Sequence, residues 1–176
     1  MLIHILIVLV ALAAIFIAVV ATRPADFSVT RSGTIAAPPA TVFALVNDFH
    51  NWEKWSPWSK MDPTAKLTFN GAAAGAGAQY AWVGNAKVGA GRMEITESRA
   101  AERIRITLEF SKPMAATNLT EFTFKPAGNQ TAVTWTMSGK NNFIGKAMHL
   151  LINCDKMIGG NFEEGLANMN AVVGKK

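Results

Sequence analysis

Four side chains of this 176-residue chain could move a proton, namely Glu97, Glu109, His50 and Tyr80. A carboxyl group held in apolar surroundings is pushed toward neutral pKa and can then act as a general acid or base. Among the carboxylates Glu97 is the inward candidate. In the run GRMEITES (91–98), alternation places Met93, Ile95 and Glu97 on the more apolar side and Glu94 on the other. The competing reading lets the strand fray at Glu97 and pairs its carboxylate with a nearby arginine. Asp155, beside the single cysteine Cys154, is read as half of a structural ion pair.

Other chemistries lack their residues. Gly71, Gly75 and Gly77 precede no Gly-Lys-Ser/Thr, and Gly89-Ala90-Gly91 lacks a third glycine and a following helix, so both segments read as turns. His4, His50 and His149 have no metal-ligand spacing, and no metal or other cofactor is expected. The lone Cys154 excludes an intramolecular disulfide and a cysteine-clustered zinc or iron–sulfur site. No nucleophile-elbow motif is present. The aromatic set is richer: Trp52, Trp55, Trp58, Tyr80, Trp82 and Trp135 are amphipathic rings that suit either the wall of an apolar cavity or an ordinary core. As ligand-binding walls the candidates are Trp52, Trp55, Trp82, Trp135, Met137 and Leu151.

The elements that must position these residues follow from periodicity. Residues 2–21 form an apolar run whose only polar member is His4, and none of the 17 basic or 12 acidic side chains falls within residues 1–22. At helical rise this run spans about 30 Å, the hydrocarbon thickness of a bilayer. It reads as an uncleaved membrane anchor over 1–22. A cleavable signal peptide is the rival, disfavoured because a basic leading region is missing and the apolar stretch is long. Arg23 and Arg31 follow the run, which puts the remaining domain on the cytoplasmic side by the positive-inside bias, with a periplasmic or extracellular placement as the alternative. Residues 23–26 form a linker and 27–176 one domain.

Within that domain, 27–35 reads as a first strand, stopped by Pro38-Pro39, and 40–46 as a short helix. From Lys66 the period changes to two. Strands are expected at 67–69, 78–84, 91–98, 103–110, 117–124 and 131–138, separated by Gly-, Pro- and Asn-bearing turns and spaced as an antiparallel meander. From Phe143 onward an apolar stripe (Ala147, Leu151, Cys154, Ile158, Phe162, Leu166, Met169, Val173) predicts one long amphipathic helix, bent at Gly159-Gly160 and lying across the curved sheet. With half of the residues hydrophobic and 16% charged, disorder is excluded for most of the length. The net charge is +5, but the basic residues are scattered, with no run longer than Lys175-Lys176, so no nucleic-acid partner is expected.

Several segments are specific enough to carry a resemblance. Pro38-Pro39-Ala40-Thr41-Val42-Phe43 and Trp52-Glu53-Lys54-Trp55-Ser56-Pro57-Trp58 are similar to the opening of bacterial SRPBCC proteins, the polyketide cyclase/dehydrase and lipid-transport group. Gly91-Arg92-Met93-Glu94-Ile95, Phe110 to Met114, Thr131 to Met137 and Asp155 to Leu166 resemble it further, and the likeness covers about 27–172. The resemblance implies an α+β helix-grip fold of the START-like type: about seven antiparallel strands curled around a C-terminal helix, enclosing a cavity for an apolar small molecule. These motifs are architectural, and fold alone does not fix activity. The expectation is a membrane-anchored protein that binds or transports a lipid or other hydrophobic small molecule. The alternative is a polyketide cyclase/dehydrase-like enzyme using Glu97, Glu109, His50 or Tyr80.

Overall fold

A computed structural model describes residues 1–174; Lys175 and Lys176, with which the expected domain ends, lie outside the described residues. The apolar run forms α1 (Leu2–Thr22), whose mean hydropathy of 3.2 and 21-residue length suffice to cross a membrane, a property that signal sequences share. It is not packed as a core helix, since Val20 is its one buried residue. Arg23, Pro24 and Ala25 then lead into β1 (Asp26–Ile35). Pro39 fixes the first turn of α2 (Pro39–Asn47), and a 3₁₀ turn (Phe49–Lys54) and α3 (Pro57–Met61) follow.

Six strands complete the sheet: β2 (Lys66–Gly71), β3 (Ala78–Val83), β4 (Ala90–Arg99), β5 (Arg103–Lys112), β6 (Ala116–Ala127) and β7 (Gln130–Lys140). All pairs are antiparallel and the order is β1-β7-β6-β5-β4-β3-β2, a meander with the first strand added beside the last. The two-residue period decides what faces inward. Thr131, Val133, Trp135 and Met137 of β7 alternate with partly exposed Ala132, Thr134 and Thr136, and Phe122 and Phe124 of β6 do the same.

The C-terminal stripe does not form one helix. It forms α4 (Phe143–Leu151) and α5 (Cys154–Val173), and the break falls at Ile152-Asn153, not at the expected Gly159-Gly160. Ile152 is extended, and the Asn153 side chain accepts from the Lys156 N–H at 2.9 Å, capping a fresh helix whose first turn carries Asp155. The glycines serve close approach instead. A Cβ at Gly159 would fall on the guanidinium of Arg31, which donates to Asp155 (2.9 Å) and Glu163 (2.7 Å). A Cβ at Gly165 would meet Cζ3 of Trp135 at 2.8 Å.

With α5 drawn that close, Phe162 stacks on Trp135 with ring centroids 4.0 Å apart and planes 8° off parallel. Phe122 (4.6 Å) and Trp55 (5.6 Å) close in on the same indole from other sides. The Trp135 N–H finds no acceptor among the described residues, a loss of about 1–3 kcal/mol. Burying an aromatic surface of 150–250 Å² at about 25 cal/mol per Å² returns roughly 4–6 kcal/mol, so the packing wins. Trp52 and Trp55 satisfy their own N–H groups on the carbonyls of Val46 and Leu45, both at 2.9 Å, which locks the 3₁₀ turn onto α2. Replacing fully buried Trp55 by Ala is expected to cost about 3–5 kcal/mol in denaturant unfolding. Exposed Leu151→Ala should change stability by no more than about 0.5 kcal/mol.

Candidate ligand cavity

The sheet curls more than α5 and the 3₁₀ turn can fill. Between them lies a cavity of about 1110 Å³, slightly larger than the roughly 300–1,000 Å³ usual for small-molecule sites. Trp135, Phe162 and Thr120 form its buried inner end. The lining then passes Trp52, Tyr80, Trp82 and Met93 and reaches a mouth of exposed residues. The exposed lining includes the β3–β4 turn at Lys87, the β5–β6 turn from Lys112 to Ala116 and the side of α4 that carries His149, and also Glu53, Pro63, Phe69 and Met157. The walls are predominantly apolar, with a few polar groups among them, an arrangement that binds through desolvation and orients through few contacts.

Of the six expected wall residues, Trp52, Trp82, Trp135 and Met137 line the cavity. Trp55 does not; with no exposed surface and its N–H on Leu45 it is core beneath the wall. Leu151 is also off the wall, because the helix break at Ile152 turns it outward and leaves it 71% exposed. Two inward polar residues escaped the sequence reading. Asn118 and Thr120 sit on the same side of β6 as Phe122 and Phe124, and both line the cavity. The amide nitrogen of Asn118 has only the Met137 sulfur as side-chain partner, at 3.9 Å, a weak acceptor. Gly139 opposite leaves room for its carbonyl oxygen, where a Cβ would collide. The parity of β6 was the signal that placed them.

The proton-shuttle candidates separate cleanly. Glu97 is not inward. A bulge between Ile95 and Glu97 shifts the β4–β5 register, so Ile95 opposes Ile106 while Glu97 opposes Arg105 and Ser98 takes the inward side opposite Ile104. Glu97 meets Arg103 and Arg99 at 2.6 Å and Arg105 at 3.4 Å, and the Arg103 hydrogen bond, aided by these charges, holds its carboxyl below the ordinary range. That is the arginine pairing of the competing reading, in a strand that runs on to Arg99 without fraying, and the reverse of a general acid. Glu109 lies on the outer face, paired with Arg92 at 2.7 Å, which likewise lowers its pKa. His50 is outside the cavity, its ring stacked on Phe69 at 4.2 Å and its Nδ1 2.8 Å from Asp48.

Tyr80 alone of the four lines the cavity. Burial, then the nearby charge of Glu53, pushes its phenol up to about 12. It therefore remains a neutral hydrogen-bond donor at physiological pH. Asp62 also borders the cavity, but its carboxylate is held by the N–H of Asn85 (2.6 Å) and by Thr64 (2.8 Å to the hydroxyl), bonds that lower its pKa and tie the β3–β4 turn down. Among the described residues no three His, Cys, Asp or Glu side chains gather as a metal site.

Tyr80 is the chain's single tyrosine, so phenolate absorbance reads it without ambiguity. Its spectroscopic titration should centre near pH 12, and a midpoint at the ordinary value of 10 would place the ring in solvent. Because the unfolded phenol ionises first, its contribution to stability should be complete below pH 10 and lost as the pH rises toward 12. Tyr80→Phe should remove that alkaline slope.

No curated protein matches the chain significantly. Its fold is shared by solved structures of low identity. Protein CV1439 from Chromobacterium violaceum has a TM-score of 0.62 at 17% identity, covering 85% of this chain and 98% of that one. TTHA0849 from Thermus thermophilus has a TM-score of 0.59 at 21% identity, covering 85% and 100%. DynU16, from the dynemicin biosynthetic locus, has a TM-score of 0.56 at 13% identity, with 84% of this chain matching 47% of that one. The family model for polyketide cyclase/dehydrase and lipid transport matches residues 26–174. With the sheet, the gripping helix and the cavity all falling inside that match, the chain belongs to the polyketide cyclase/dehydrase and lipid-transport family.

Proposed function

We propose that the protein binds a hydrophobic small molecule or lipid in its cavity and does so tethered to a membrane by α1. The observation that carries this reading is a cavity of about 1110 Å³ walled by Trp52, Trp82, Trp135, Met137 and Phe162. Water in such a space gains few hydrogen bonds, so an apolar guest that displaces it is favoured by desolvation. Asn118, Thr120 and Tyr80 are polar groups of the lining that could meet a guest's oxygen atoms, and they suit a molecule with an apolar body and a hydroxyl, carbonyl or ester group. The 21-residue helix α1, exposed along nearly its whole length, supplies the tether.

A cyclase- or dehydrase-type activity is the second reading, and Tyr80 is the observation in its favour. A phenol kept neutral inside an apolar cavity can donate to a carbonyl oxygen and stabilise charge developing there. Glu97, Glu109 and His50 lie off the cavity, and of the acids and imidazole that do line it, Asp62 is bonded internally while Glu53 and His149 are exposed to solvent. Binding without turnover therefore takes precedence.

The test compares organic extracts of the full chain and of a Thr120→Trp variant, both purified from the same cells and analysed by mass spectrometry. A compound recovered near one per chain from the wild type, and at least tenfold depleted in the variant, is the expected result. Identical extracts from two equally folded proteins would overturn the assignment of the cavity as the binding site.

A further inference from the structure

Helix α4 is built unlike the rest of the domain. None of its nine residues is buried, yet it is rich in large apolar side chains. Ile144, Met148, Leu151 and the following Ile152 recur at helical spacing and are 55%, 38%, 71% and 41% exposed. Gly145 and His149, spaced by four, lie on the adjoining side, about 100° round the helix, and line the cavity. One side of α4 is thus cavity rim and the adjoining side an uncovered apolar stripe.

What covers the stripe is indicated by its neighbour. Helix α1 packs against α4, and the Lys146 ammonium donates to the carbonyl oxygen of Ala21, in the last turn of α1, at 3.4 Å. The stripe therefore sits on a helix that packs directly beside the exposed helix long enough to cross a bilayer. The link is also short. Phe27, which lines the cavity, follows Thr22 by five residues, a reach of at most about 18 Å. The rim of the mouth adds lysines 87, 112 and 140 and the exposed Met114, the mixture of cations and apolar tips that suits an anionic lipid surface. Two acids share the lining, Glu53 and the internally bonded Asp62.

We infer that α4 is an interfacial helix: its Ile144–Met148–Leu151 stripe lies in the bilayer leaflet from which α1 emerges, and it holds the cavity mouth against that leaflet. A guest then passes between lipid and cavity without crossing water. That last step rests on the cavity reading above, and the placement of α4 rests on the tether reading of α1 alone.

The test uses the full chain in vesicles of phosphatidylcholine and phosphatidylglycerol, with Cys154→Ser and one nitroxide at a time on Ile144→Cys, Leu151→Cys, Met114→Cys or Asn129→Cys. Asn129 lies in the β6–β7 turn, at the opposite end of the strands from the mouth. Accessibility to oxygen relative to a water-soluble nickel chelate reports depth. Labels at 144 and 151 should favour oxygen at least fivefold over the Asn129 position, with Met114 at headgroup level. Labels at 144 and 151 that match Asn129 would overturn the placement, as would spin–spin broadening between copies without depth, which would assign the stripe to a second chain. An aqueous Met114 beside a buried α4 would overturn the facing of the mouth. None of these readouts needs a guest, so failure here is distinct from failure of the cavity to carry one.

Discussion

The stack of Phe162 on Trp135 is the contact on which the rest of the domain hangs. It is where the gripping helix touches the floor of the sheet, and it forms only because Gly165 lets α5 approach the indole to a distance no side chain would allow. Nearby, the salt links from Arg31 to Asp155 and Glu163 fix the rotation of α5 about its axis. These pairs are partly solvated and contribute register more than energy. Held at that one depth, the helix fills the near half of the curved sheet and cannot fill the far half. The cavity is the space left over, so packing strength at one end and emptiness at the other are a single geometric result.

Much of this was legible in the residues. Two-residue alternation gave the faces of β5 and β7 correctly, because neither strand itself carries an extra residue over its inward positions. It failed at Glu97 for a definite reason: a bulge adds one residue to one strand, and every later side chain on that strand changes face. Nothing in GRMEITES announces the extra residue. The helix break was misplaced because glycine was weighed only as a helix weakener, whereas Asn153 acted as a cap and the glycines as contact surfaces. Leu151 followed that error out of the cavity. Trp55 shows a different limit, since periodicity assigns a side and not a depth.

The chemistry that survives is sparse. Arginines pair with Glu97 and Glu109 on the outer face, and the buried and half-buried lining offers the amide of Asn118, the hydroxyl of Thr120 and the phenol of Tyr80, while the lysines, Glu53 and His149 that also line the cavity are exposed. An interior of that kind discriminates by shape and by the position of a few oxygen atoms. One structure that shares the fold comes from a biosynthetic locus, and the family's description spans both catalysis and lipid transport.

The three residues between α1 and β1 carry a kinetic implication. If α1 resides in a bilayer, encounter between cavity and membrane is no longer bimolecular: the local lipid concentration is fixed by the link and does not fall when the protein is dilute. Such a molecule cannot diffuse away with its cargo. It would serve one membrane, and a molecule leaving that membrane would have to be collected at the site by an acceptor that comes to it.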